Sequence, residues 1–135
     1  MLLLSLLSLA SVPSAGPNAS VVEGIEYGPR LTLTCTWFSN FENSRFERCR
    51  AESREVIPSK DGASIKCLRQ TCEQLDAEAR RVAHWRNPEP PWGRFTVRIV
   101  GRVSVHQNEK RYLGDGTSTV LYEKLLSVTP TNIER

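Results

Sequence analysis

Leu31-Thr32-Leu33-Thr34-Cys35-Thr36-Trp37-Phe38, followed after a short polar break by Arg45-Phe46-Glu47-Arg48-Cys49, is the stretch that decides the fold. The first segment alternates apolar and polar side chains, the period of a strand with one buried face. Asn40-Phe41-Glu42-Asn43-Ser44 is rich in turn formers, so the second segment returns antiparallel. With the turn centred on Glu42, Cys35 stands opposite Cys49, where facing Cβ atoms are close enough to bridge. That register sets Phe38 across from Phe46. It places Thr36, Phe38, Phe46 and Arg48 on the polar face, away from Leu31, Leu33, Cys35 and Trp37.

The chain has four cysteines, and pairing the first two leaves Cys67 with Cys72. Residues five apart in an unbroken helix point about 140° away from each other. The second disulfide therefore requires the helix to begin near Cys72, and Thr71-Cys72-Glu73-Gln74 has the form of a capping box. A four-cysteine zinc site is the alternative, although only Cys67 and Cys72 come near the spacing of a ligand pair.

An even cysteine number in a small chain points to an oxidising compartment. Met1–Ala15 agrees with it. Leu2–Ala10 is too short to cross a bilayer but has the length of a secretory apolar region, and small residues with Pro13 and Gly16 follow. The basic start of a signal peptide is missing, since the first Lys or Arg is Arg30. Residues 1–16 are expected to be a signal peptide and 17–135 a single domain with a short flexible C-terminal tail. The location expected is secreted or periplasmic, with no transmembrane span in the mature chain.

Composition sets the limits. The 135 residues are 39% hydrophobic and 24% charged, which excludes a collagen-like chain, a coiled coil and a wholly disordered one. The formal net charge of +3 suits contact with anions without requiring it.

Further along, Val21–Tyr27 reads as a first strand ended by Gly28-Pro29, and Ser53–Ala63 as a loop. Leu68, Cys72, Leu75, Ala79 and Val82 recur at helical spacing, predicting an amphipathic helix from about Ser64 or Cys72 to Trp85. Asn87-Pro88-Glu89-Pro90-Pro91 stops it. Phe95, Val97, Ile99, Val103 and Val105 alternate with Arg94, Thr96, Arg98, Arg102 and His106 as a fourth strand, and Gly101 within it predicts a bulge or bend. Ser118–Val128 is the last strand and Thr129–Arg135 a frayed tail. Three strands, a helix and two strands give an α+β chain with the element order of the OB-fold. The expectation is a small, five-stranded, antiparallel, partly open barrel with its helix between strands three and four. An open antiparallel sheet with one packed helix explains the same string.

On the OB reading, a ligand lies across the hairpin and is gripped by the loop after strand four. Candidate binding residues are Phe38, Phe46, Arg48, Arg98, Arg102, Lys110, Arg111 and Tyr112. Aromatics beside cations suit a stacking, anion-tracking surface. The alternative is that Phe38 and Phe46 only stabilise the hairpin as a cross-strand pair. Arg94, Arg98, Arg102 and His106 fall on one strand face at intervals of roughly 13 Å, a cationic row or simply a solvated face.

Gly114-Asp115-Gly116-Thr117 resembles a phosphate-binding stretch of chaperonins over those few residues alone; a tight turn accounts for it. No metal-ligating, cofactor or catalytic motif stands out, and His106 with Asp115 is the nearest approach to an acid/base pair. The function expected is a small exported, disulfide-stabilised, non-catalytic binding domain. Its partner is an anionic polymer (glycan or nucleic acid) or a secreted or envelope protein. A small secreted hydrolase and a structural cell-envelope component are the alternatives.

Overall fold

A computed structural model describes residues 20–58, 62–107 and 116–134. The expected signal peptide lies outside the described residues, as do Lys110, Arg111, Tyr112 and Asp115.

Where a single first strand is expected, the chain folds back on itself. β1 (Ser20–Val22) and β2 (Ile25–Tyr27) form a two-stranded hairpin. Glu23 and Gly24 between them both have positive φ, 50° and 80°, the turn geometry that matches strand twist. The hairpin is tied to the main sheet: Gly28 N donates to Val103 O (2.8 Å), Val105 N donates to Glu26 O (2.9 Å), and Tyr27 is fully buried.

β3 (Leu31–Ser39) and β4 (Ser44–Ala51) pair antiparallel, with Cys35 opposite Cys49 and Thr36 opposite Arg48. The turn is fixed by Asn40, whose Oδ1 accepts from the backbone N–H groups of Glu42 and Asn43, an Asx turn. It closes one half-step earlier than a turn centred on Glu42, and a bulge at Glu47 absorbs the difference. Beyond that bulge Trp37 faces Phe46 and Phe38 faces Arg45. Phe46 is thereby turned inward and is fully buried, so the expected Phe38–Phe46 facing pair does not form.

The expected loop after β4 contains structure. β5 (Arg54–Ile57) pairs with β4 at its edge, and β6 (Ala63–Cys67) meets β4 through Phe46 and Ala63. Residues 64–67 are therefore strand, not the first turn of a helix. α1 (Thr71–Val82) begins where the second disulfide requires it. Its capping box does not form: Gln70 is the N-cap without a side-chain bond, and Thr71 Oγ1 instead donates to Tyr122 O (3.2 Å). Leu75, Ala79 and Ala83, four residues apart, bury the helix against the sheet. Past the helix His84 adopts φ 52° while Trp85 N donates to Arg80 O and His84 N to Arg81 O, a Schellman ending with histidine at the position glycine usually takes. Arg80 then donates to the carbonyls of Asn87, Pro88 and Glu89, so the Pro-rich connector is held to the helix.

β7 (Gly93–Val103) pairs with both β3 and β8 (Ser118–Ile133). β8 carries an extra residue at three bulges, Glu123, Leu126 and Thr131, opposite continuous pairs of β7. One of these shifts lies beside Gly101, as its interruption of the apolar face predicts. A Cβ there would come 2.8 Å from Leu121 O. The expected tail is strand as far as Ile133, with Pro130 accommodated at the bulge opposite Phe95.

The result is sheet-rich α+β: a six-stranded mixed sheet in the order β3-β7-β8-β6-β4-β5, an additional β3–β4 pairing, and the two-stranded hairpin. The expectation of five antiparallel strands is corrected on both counts: among the described residues the main sheet has six strands and the hairpin two more, and β6 and β8 run parallel. The core gathers Leu33, Trp37, Phe46, Phe95, Val97, Ile99, Val120 and Tyr122. The Trp37 and Phe95 rings lie 5.0 Å apart, and Trp37 Nε1 donates to Ser44 Oγ (2.8 Å). Both disulfides are present, Cys35–Cys49 within the core and Cys67–Cys72 joining β6 to the first turn of α1. All four cysteines are used, which removes the zinc alternative.

Candidate anion-binding face

Residues opposite one another in neighbouring strands project from the same face. Because Cys35 and Cys49 point into the core, their neighbours point out, and the pairings assemble four rows across β4, β3, β7 and β8. The first is Arg45, Phe38 and Arg94; the second Arg48, Thr36, Thr96 and Thr129. The third is Arg50, Thr34, Arg98 and Ser127, and the fourth Thr32, Val100 and Lys124. At strand spacings of about 4.8 Å and rises of about 3.3 Å, this face measures roughly 14 by 20 Å.

A strip of threonine hydroxyls runs along β3 to Thr96, flanked by cations on β4 and β7 and by Lys124 on β8. Arg48 is paired with Glu55 (2.8 Å) and Arg94 with Glu47 (3.0 Å); the hydrogen bonds that Arg94 donates to Glu47 hold its guanidinium above its ordinary pKa. Arg45, Arg50, Arg98 and Lys124 have no acidic partner among the described residues. Thr34, Thr36 and Thr96 line a cavity of 290 Å³ with Arg48, Arg50 and Glu55. Thr hydroxyls donate and accept, and Arg presents a fixed fork of donors. The arrangement can therefore bind oxyanions at its margins and hydroxyl-bearing groups along its centre.

The residues singled out in the sequence divide between this face and elsewhere. Arg48 and Arg98 belong to it. Phe38 does too, although the guanidiniums of Arg45 and Arg94 lie over its ring at 5.5 and 5.1 Å, so the ring is covered by cations. Phe46 is a core residue and is not on the polar face. Arg102 is also corrected: its side chain is 8% exposed, bonded to Glu123 Oε1 (2.8 Å) and to Gly28 O (3.2 Å). The expected cationic row is thus broken at its far end, where the bulge at Glu123 aims a carboxylate at both Arg102 and Arg30. His106 is exposed, with its Nε2 3.7 Å from Glu26. Lys110, Arg111, Tyr112 and Asp115 lie outside the described residues.

Arg45, Arg50, Lys124 and the threonines Thr32 and Thr34 were not singled out. The Cys35–Cys49 register already implies that Thr34 faces Arg50, which is the signal that identifies this part of the face. Arg45 and Lys124 are different, since their placement depends on the bulges at Glu47 and Glu123; Gly101 signals the second of these but not which residue of β8 is the extra one.

Among the described residues no group of three or more His, Cys, Asp or Glu is placed to hold a metal ion, and no helix is long and apolar enough to cross a membrane. No protein-family model matches the chain, nor does any curated protein or solved structure.

Proposed function

We propose that the chain is a disulfide-stapled binding module of an oxidising compartment that holds an anionic ligand against the β4–β3–β7–β8 face and carries out no covalent chemistry on it. One observation carries this reading: Arg45, Arg50, Arg98 and Lys124, without acidic partners among the described residues, surround a hydroxyl strip on adjacent strands. Cations clustered on one face raise the local concentration of anions and quicken their arrival.

The same proposal extends to the fold. The pairings β3–β7, β7–β8, β8–β6, β6–β4 and β4–β3 return to their starting strand, with β6 parallel to β8 and α1 between β6 and β7. That circuit supports an OB-like partly open barrel, with β3 rather than the β1–β2 hairpin as its first strand. On such a barrel the face described here adjoins the customary ligand strands, of which β4 is one.

The test is Arg50→Ala with Arg98→Ala in the intact chain, titrated with a polyanion such as heparin at two salt concentrations. The expected result is a loss of at least tenfold in affinity, with a shallower dependence of log K on log salt. Unchanged affinity and slope contradict the proposal.

A further inference from the structure

We infer that the ligand of this face is an acidic polysaccharide rather than a nucleic acid, an inference that rests on the anion-binding reading above. Two features support it, namely what lies between the cations and what the face lacks. Arg50 and Arg98 are two strands apart, roughly 10 Å, and Lys124 is one strand and one row beyond Arg98, roughly 8 Å.

The first feature is what lies between these cations. Thr32, Thr34, Thr36 and Thr96 fill the centre of the face, and Thr34, Thr36 and Thr96 open into its cavity. Each offers one hydroxyl donor and acceptor to a ligand rich in hydroxyls. The second is the lack, among the described residues, of a stacking platform. Sequence-tolerant binding of single strands relies on aromatic rings on which bases stack. Phe38, the aromatic residue in these rows, lies beneath Arg45 and Arg94. Phe41, more than half exposed at the hairpin tip, is stacked on Trp92. The face therefore offers charge and hydroxyls, the recognition chemistry of an acidic glycan.

The experiment is isothermal titration of the full chain with heparin, polygalacturonate and a single-stranded DNA of similar charge. The same titrations are run on Thr34→Val with Thr36→Val. Valine keeps the β-branched shape that suits a strand and removes only the hydroxyls, and circular dichroism checks that the fold is retained. The inference expects at least one glycan to bind more tightly than DNA, and the valine variant to lose roughly tenfold for that glycan with little change for DNA. Tighter binding of DNA, or equal losses for both ligands, overturns the inference while leaving an anion-binding face in place. No binding of any of the three overturns the anion-binding reading itself.

Discussion

Replacing Glu123 by alanine removes one carboxylate and strands two guanidiniums in unequal environments. Arg102 is 8% exposed and Glu123 14%, whereas Arg30 is 61% exposed. Taking one partner from a nearly buried pair costs about 3–5 kcal/mol, because the remaining charge stays out of water without compensation. The lower end applies here, since Arg102 keeps its bond to Gly28 O. The expectation is therefore about 3 kcal/mol, or a fall in Tm of roughly 12 °C for a domain of this size. Arg30→Ala breaks the other half of the same cluster at its solvent-exposed end and should cost under about 1 kcal/mol. Urea unfolding with a constant m-value measures both. Replacing the buried pair together, Arg102→Met with Glu123→Leu, should recover most of the loss, because apolar groups of similar volume need no partner. Equal losses for Glu123→Ala and Arg30→Ala would refute the reasoning, for then burial does not set the value of these pairs.

The two disulfides should separate in both reactivity and cost. Cys35 and Cys49 are 1% and 0% exposed and Cys72 is exposed, so a mild reductant followed by alkylation and peptide mapping should label Cys67 and Cys72 first. By loop-closure entropy, the bridge of sequence separation 14 contributes about 3 kcal/mol and that of separation 5 about 2 kcal/mol; paired alanine variants in urea check the order. Burial raises the phenol pKa of both Tyr27 and Tyr122 above the ordinary 10.0. The unfolded chain then releases these protons first, so the contribution of these two groups to stability is constant below about pH 10 and falls as pH rises beyond it. Tyr122→Phe should flatten that fall at little cost, since the Tyr122 hydroxyl is buried without a hydrogen-bond partner among the described residues. An unchanged alkaline slope in Tyr122→Phe counts against it.

The features legible in the sequence are those fixed by local periodicity. Alternation from Leu31 to Trp37 and the Asn40 turn give the hairpin and the Cys35–Cys49 bridge. The spacing of Leu75 and Ala79 gives the helix face, and Gly101 marks its bend. What escaped is set by register and tertiary context. One extra residue, Glu47, turns Phe46 from the polar face into the core, because a slip of one residue inverts a strand's faces. β6 is five residues of mixed polarity, too short to show its period, and its parallel partner β8 is remote in sequence. Pro130 argues against a strand until a bulge accommodates it. Arg102 reads as one more exposed cation on an alternating strand, and only Glu123 and the Gly28 carbonyl account for its burial. The candidate site was therefore half visible: Arg48, Arg98 and Thr36 follow from alternation, while Arg45 and Lys124 depend on where the bulges fall.

Amide chemical-shift mapping of the isotopically labelled chain, titrated with an acidic glycan, probes the proposed face residue by residue. Perturbations concentrated at Thr32–Thr36, Arg48–Arg50 and Thr96–Arg98, with α1 and the β1–β2 hairpin silent, are the outcome expected. Shifts confined to α1 or that hairpin, with those three segments unmoved, would place binding elsewhere on the molecule and contradict the account.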